Sequence, residues 1–295
     1  MARPAGLGFS LMKIGVVFPQ TEIGADPETI VRFATTAESL GFTHLLAYDH
    51  VLGANTANRP NWQGPYTSDH LFHEIFVLFS YLAGFTRTLE LVTGIVILPQ
   101  RQTALVAKQA ASLDVLSKGR LRLGVGIGWN PVEYEALGED FTNRGRRSEE
   151  QIDLMRKLWA EETITFKGRW HTVTDAGLNP LPLRRSIPIW LGGMAPQVIE
   201  RVGRLADGWF PFENPNLERQ VADIRAHARS AGRDPAAIGI EGRLLVNDSA
   251  ETIHQRIKRF EALGATHMTV VTMNAKLANP QAHIDAIRRF RDYVG

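Results

Sequence analysis

The sequence predicts a (β/α)8 barrel, that is, a TIM barrel, with insertions after the second strand and after the fourth helix. Three observations predict it. Eight short β-rich runs alternate with eight amphipathic helical runs. Those helical runs supply the crossovers that parallel strands require, and no linker-like stretch interrupts them. The chain has 295 residues, 44% of them hydrophobic, which suits a barrel built as one unit.

The first strand is Lys13–Phe18. Asp26 caps the helix that follows, with Pro27 at its first position and Glu28 in its first turn. Gly41 ends that helix as a left-handed cap. The second strand is His44–Tyr48, and a loop with Gly, Asn and Pro runs from about Leu52 to Asp69. The second helix covers about His73–Phe85. The third strand, Leu89–Leu98, is rich in Val and Ile and reads as buried on both faces. A helix over about Thr103–Leu116 follows, then the fourth strand, Arg120–Ile127, and a helix over about Arg144–Ala160. Next, Thr163–Thr174 alternates β-formers around Lys167-Gly168, as a hairpin does. Strands five to eight are Pro188–Leu191, Gly208–Phe212, about Gly239–Val246 and His267–Thr272. Their helices are Pro196–Leu205, about Leu217–Ala231, Ala250–Leu263 and Gln281–Tyr293. One internal echo matches the stretch from Glu38 to His44 with the stretch from Glu261 to His267. Each is a helix end, a Gly cap and a strand start, and such loops favour Gly in general.

Residues 12–295 are therefore expected as one barrel domain. Residues 1–11 are expected as a disordered extension, with Met12 as an alternative start to Met1. Net charge is +2, from 33 basic and 31 acidic residues, which makes no electrostatic case for nucleic acid or an anionic membrane. The chain has no cysteine, so thiolate catalysis, disulfides and zinc–sulfur sites are excluded. There is no long apolar run and no signal-peptide pattern, and the expected location is cytoplasmic.

In a barrel of this type, chemistry gathers where strands end. The second strand ends in Tyr48-Asp49-His50. A carboxylate beside an imidazole favours the protonated ring, and a cationic His can stabilise charge on a neighbouring ligand. The plainer reading is a capping Asp and a solvated His. The fourth strand ends in Gly124-Val125-Gly126-Ile127-Gly128-Trp129-Asn130. Its glycines permit close backbone approach to a ring or phosphate, or simply relieve crowding inside the barrel. The fifth ends in Leu191-Gly192-Gly193-Met194-Ala195-Pro196, opening a helix whose free N–H groups suit a phosphate; a tight turn is the alternative. Gly94 within Thr93-Gly94-Ile95-Val96 marks a bulge or close approach. Trp62, Trp129, Trp209, Phe210 and Phe212 are pocket walls or core. His70 and His73 lack further ligands at metal spacing, so no metal site is expected. No Lys ends a strand, which leaves an aldolase-type Schiff base without a candidate.

Taken in order, these pieces resemble the luciferase-like monooxygenase superfamily of flavin- and deazaflavin-dependent barrels. The matching segments include those running from Ala47 to Val51, Thr93 to Pro99 and Lys108 to Ala110. Further ones run from Leu113 to Leu121 and from Gly124 to Asn130, with Glu133 and Gly138 following. The last run from Ile187 to Gly193 and from Leu205 to Trp209. The resemblance implies a cofactor ring in the barrel mouth and phosphate at Gly192, Gly193 and Met194. It also implies a ring buttress at Thr93, Gly94 and Ile95, with Gly126, Gly128, Trp129 and Asn130 alongside. A non-proline cis peptide at Gly94-Ile95 or Ile95-Val96 is part of the same pattern. The Asp-His pair looks like the coenzyme F420 branch, in which the residue matching His50 works on the cofactor ring and that matching Asp49 helps to hold it. The branch that oxidises sugar phosphates has a Glu after the fourth-strand glycines. Trp129 stands there here, so that chemistry does not transfer.

The expected function is thus hydride transfer between coenzyme F420 and a small organic substrate, with His50 and Asp49 catalytic. The alternatives are an FMN-dependent monooxygenase and a non-catalytic flavin-binding protein. The resemblance further implies a homodimer.

Overall fold

Runs that bury both faces form parallel strands, and runs that bury one stripe form the helices between them. The computed structural model describes residues 12–294, so the expectation for residues 1–11 lies outside the described residues. The chain runs β1 (Lys13–Val17), α1 (Pro27–Ser39), β2 (His44–Ala47), α2 (Ile75–Phe85), β3 (Glu90–Thr93) and β4 (Val96–Ile97). A 3-10 turn at Leu98–Gln100 precedes α3 (Thr103–Leu116), β5 (Leu121–Gly126), α4 (Pro131–Ala136) and α5 (Arg144–Ala160). Then come β6 (Ile164–Lys167), β7 (Thr172–Ala176), β8 (Ile189–Gly192), α6 (Pro196–Leu205), β9 (Gly208–Phe210) and α7 (Leu217–Ser230). The last elements are β10 (Gly239–Leu245), α8 (Ala250–Ala262), β11 (His267–Val271) and α9 (Pro280–Val294).

The main sheet has the order β3-β2-β1-β11-β10-β9-β8-β5-β4, and β3 also pairs with β5. With β3 and β4 taken as two pieces of one strand, this is the eight-position closed parallel barrel that the alternation predicts. Both insertions are present: the long connection after β2, and the antiparallel β6–β7 hairpin after α5. Two details differ from the sequence reading. The third strand is not continuous over Leu89–Leu98. It breaks at a cis Gly94–Ile95 peptide, and Leu98 already belongs to the 3-10 turn. A short helix, α4, also stands where only a loop was read. Asn130 caps it by accepting from Val132 N at 3.0 Å, and Pro131 begins it.

Contacts group the described residues into two compact halves. The first comprises residues 12–47, 88–90 and 192–294. Here β1 pairs with β2 and β11, and β10 pairs with β9 and β11, all parallel. Asp26 caps α1 through Thr29 N at 2.9 Å, and α1 buries Ile30, Phe33 and Ala37. The internal echo is structural as well as sequential. Gly41 and Gly264 have φ of 76° and 77°. Thr43 Oγ1 lies 2.9 Å from His44 Nδ1, and Thr266 Oγ1 lies 2.7 Å from His267 Nδ1. The two imidazoles meet edge-on with centroids 5.5 Å apart. His44 Nε2 also lies 2.9 Å from Thr269 Oγ1 and 3.2 Å from Glu241 Oε1, all buried.

This cluster explains Gly15. A Cβ there would collide with the His44 ring. Gly15→Ala is therefore expected to destabilise the protein by about 1–3 kcal/mol, the usual range for overpacking. A denaturant midpoint unchanged from wild type would show that His44 can yield.

The second half comprises residues 48–87 and 91–191. β3 and β4 both pair with β5, which pairs with β8. Trp159 is fully buried on α5, and its Nε1 donates to Ala107 O of α3 at 2.9 Å, tying the two helices together. Gln151, one helical face along, donates to Leu98 O and Arg101 O at 3.2 Å and to Thr103 Oγ1 at 3.0 Å. Arg147 reaches Pro99 O and Glu139. α5 thus fixes the segment that follows the broken strand.

Candidate active site

Two side chains leave the end of β2 toward different partners. Asp49 is 3% exposed. It accepts from Ile97 N at 3.1 Å and from Arg101 Nη2 at 2.7 Å. Arg101 also donates to Glu74 Oε1 at 2.8 Å, while Glu74 Oε2 caps α2 through Val77 N at 2.8 Å. One guanidinium therefore joins the β2 end, the start of α2 and the turn after β4. Burial pushes the Asp49 carboxyl up, against the pull of Arg101 and the Ile97 N–H. Burial also opposes the Arg101 charge, but Asp49 and Glu74 outweigh it and hold the guanidinium above its ordinary range.

His50 turns to Glu133 instead. Its Nδ1 lies 3.1 and 3.2 Å from the two carboxylate oxygens. Glu133 Oε1 also accepts from Val51 N at 2.9 Å, and Oε2 from Gln100 Nε2 at 3.4 Å. Glu133 is fully buried. Burial works to raise its carboxyl, but the hydrogen bonds and the His50 ring outweigh that and leave it lowered. An ionised carboxylate only accepts, so Nδ1 carries the hydrogen and Nε2 is the ring position free to take or give a proton. Among the described residues, Nε2 makes no hydrogen bond. The carboxylate that holds the imidazole is thus Glu133, not the adjacent Asp49, and His50 is buried rather than solvated.

Aromatic rings surround this imidazole. Tyr66 and Phe72 each lie 4.9 Å from it and Trp129 5.7 Å, all edge-on; Trp62 packs on Trp129 at 5.6 Å. The long loop after β2 supplies three of these rings, and Gly64 is small because Trp129 covers it. A cavity of about 310 Å³ opens beside His50, with Tyr66, Phe72 and Asn130 among its walls. Asn130 is 1% exposed, and its Nδ2 has no hydrogen-bond partner among the described residues.

The glycines after β5 have a packing cause. A Cβ at Gly126 would lie 2.6 Å from Ile95 Cδ1, and one at Gly128, where φ is 65°, would lie 2.6 Å from Ile97 Cγ2. They accommodate Ile95, in the break of the third strand, and Ile97 of β4 just after it. Thr93 is buried and donates from Oγ1 to Gly124 O at 2.7 Å. Of the two positions open to a cis peptide, Gly94–Ile95 is the one adopted.

Gly192, Gly193 and Met194 belong to the first half of the chain and are described by themselves. Gly193 has φ of 115°, which L side chains rarely adopt. Its carbonyl accepts from Trp209 Nε1 at 2.8 Å, and that of Met194 accepts from Gln220 Nε2 at 3.2 Å. Ala195 at the N-cap of α6 offers no side-chain acceptor, Pro196 carries no N–H, and Val198 N donates to Ala195 O at 2.8 Å. Trp209 is core, whereas Phe212 is exposed beneath the Arg243 guanidinium at 4.6 Å.

Sequence reading gave Glu133 no role and missed Arg101, Glu74 and Gln100. A signal for Glu133 existed. Asn130-Pro131 followed by Glu133 is a helix start with an acid in its first turn, and it places that acid just beyond a strand end.

An imidazole held between a carboxylate and a cavity, at the strand ends of a barrel, is the equipment of an enzyme that moves protons beside a bound ligand. The chain belongs to the luciferase-like monooxygenase family, whose model matches residues 10–293. It is 33% identical over 184 residues to an FMNH(2)-dependent dimethylsulfone monooxygenase of Pseudomonas fluorescens, covering 61% of this chain and 50% of that one. It is 30% identical over 259 residues to an F420-dependent hydroxymycolic acid dehydrogenase of Mycobacterium tuberculosis, covering 84% and 67%. Its fold matches an F420-dependent secondary alcohol dehydrogenase with TM-score 0.78 at 19% identity, over 97% of this chain and 99% of the other. The chain is therefore an oxidoreductase of a family with both F420- and FMN-dependent members. Among the described residues no helix is long and apolar enough to cross a membrane.

Proposed function

We propose that the chain transfers hydride between coenzyme F420 and a small organic substrate. The observation that carries this reading is the buried His50–Glu133 pair, which leaves Nε2 unbonded beside a cavity. Bound coenzyme F420 supplies a two-electron hydride donor or acceptor. The residues proposed to hold it are Gly192, Gly193 and Met194 at the start of α6, Thr93, Gly94 and Ile95 at the strand break, and Gly126, Gly128, Trp129 and Asn130 after β5. Among the described residues the Nδ2 of Asn130 has no hydrogen-bond partner, which supports that assignment. His50 holds or moves the proton at Nε2. Asp49 is proposed to serve by fixing the backbone at Ile97 and the position of Arg101. FMN-dependent monooxygenation is the second reading, favoured by the identity with the dimethylsulfone enzyme.

A homodimer is proposed as well. Val77, Tyr81 and Phe85 are exposed at four-residue spacing along α2, an apolar stripe suited to a second copy. Native mass spectrometry of the protein with each cofactor tests these points together. Expected are a dimer, preferential binding of coenzyme F420, and weaker binding by Gly193→Asp and His50→Ala. Tighter FMN binding with oxygen uptake would favour the second reading, and a monomeric mass would remove the dimer.

A further inference from the structure

We infer that a second cavity, between α8 and α9, binds a small organic monoanion: an apolar or aromatic body that ends in one carboxylate. This goes beyond the proposed function and is independent of it, because the cavity shares no lining residue with the one beside His50.

The cavity has a volume of about 310 Å³. That lies at the lower edge of the range for small-molecule sites, about 300–1,000 Å³. All of its walls belong to the first half of the chain. One wall is α9, which contributes Ala286, Arg289, Phe290 and Tyr293. Positions three, four and seven residues beyond the first share one face of a helix. The other walls are Ala250 and Ile253 of α8, the segment 246–248 after β10, and Leu277 after β11. Asn247 Nδ2 donates to Ala275 O at 3.0 Å and so ties those two loops together. Ile253, Leu277 and Phe290 offer apolar surface, which suits a hydrocarbon or a ring.

Charge decides the end group. Helix α9 carries three arginines. Arg288 pairs with Asp285 at 3.2 Å, and Arg291 donates to Leu40 O at 2.9 Å. Arg289 is the one that lines the cavity. It has no hydrogen-bond or ion-pair partner among the described residues, and neither has the Tyr293 hydroxyl one helical turn along. The acid in the lining, Asp248, is already matched. It accepts from Leu245 N at 3.3 Å and from Arg256, which also donates to Glu213 at 2.6 Å. The site therefore offers one unspent positive charge and one phenolic donor beside an apolar wall. A guanidinium presents its N–H groups in a fork that matches a carboxylate, and a phenol can add a further hydrogen bond. One negative charge is balanced there. A dianion brings a second charge that finds no second unpaired cation in the lining and has Asp248 beside it. An ammonium group is repelled by Arg289.

Benzoate, benzamide and phenyl phosphate share a ring and differ in the end group. Their affinities for the full chain near neutral pH are measured by saturation-transfer NMR. Benzoate is expected to bind about ten-fold tighter than benzamide, the scale of one charge-assisted hydrogen bond. It is also expected to bind tighter than phenyl phosphate. Arg289→Gln, at an exposed position, should abolish the preference for benzoate and leave benzamide binding unchanged. Tyr293→Phe should weaken benzoate several-fold. Ala250→Phe, at an exposed lining position of α8, should fill the space and weaken benzoate and benzamide alike. Thermal unfolding without ligand checks that each variant folds, and Tyr293→Phe and Ala250→Phe carry the test if Arg289→Gln does not. Benzoate binding no tighter than benzamide, phenyl phosphate binding at least as tightly as benzoate, benzoate affinity unchanged in the variants, or no binding of any probe overturns the inference. None of these positions is among those proposed to hold the cofactor or to move the proton, so such a failure leaves the proposed function standing.

Discussion

Arg101→Met is expected to destabilise the protein by about 3–5 kcal/mol near neutral pH, the cost of leaving a buried charge without its partner. Among the described residues Asp49 would keep only the Ile97 N–H as a hydrogen-bond donor, and Glu74 would lose its bond to Arg101 at the start of α2. The loss should depend on pH. Burial already pushes the Asp49 carboxyl up, and Arg101 is the main force acting against it. Without Arg101 the folded-state value rises further above the unfolded one. A group of that kind contributes most below its unfolded value and loses the contribution as pH rises toward the folded one. The gap between wild type and variant should therefore be small near pH 4 and wide near pH 7, as read by urea unfolding at each pH. A gap of constant size would mean that Asp49 stays ionised without its partner. Asp49→Asn in the Arg101→Met background should recover part of the loss, because the uncompensated charge is then gone.

His50→Ala and Glu133→Gln are each expected to lower turnover on the order of 10²–10⁴-fold, the range for a positioned acid–base group. His50 is the group beside the cavity, and Glu133 is a positioning residue that fixes the proton at Nδ1. Groups that act as a unit are not additive. The double variant should therefore be little worse than the poorer single one, and additive losses would separate the two residues. Stability gives a readout independent of turnover. The Glu133 carboxyl is lowered from its ordinary value of 4.5. Its contribution is fully present above that value and is lost as pH falls through the lowered one. Wild type should thus lose stability on acidification below about pH 4.5 more steeply than Glu133→Gln does.

The residues behind these two expectations differ in how far they could be read from the sequence. Asp49 and His50 stood out because an acid and an imidazole end a strand in a fold that works at strand ends. Their division of labour did not. Adjacency favoured Asp49 as the partner of His50, yet the hydrogen bonds run to Arg101, 52 residues away, and to Glu133, 83 residues away. The glycines at 126 and 128 suggested close approach of a ligand, and the packing of Ile95 and Ile97 accounts for them in this structure. The break in the third strand was invisible to periodicity, since Val and Ile continue across it in the same pattern.

The alternation of strands and helices, their caps, both insertions and the rim positions where chemistry belongs were determined by the sequence by itself. Each depends on the period of hydrophobic residues or on turn chemistry within a few positions. The tertiary structure alone decided which carboxylate holds the imidazole and which is neutralised by a guanidinium. Such pairings depend on which loops the folded chain lays side by side. Burial then sets their strength by removing the water that would otherwise compete.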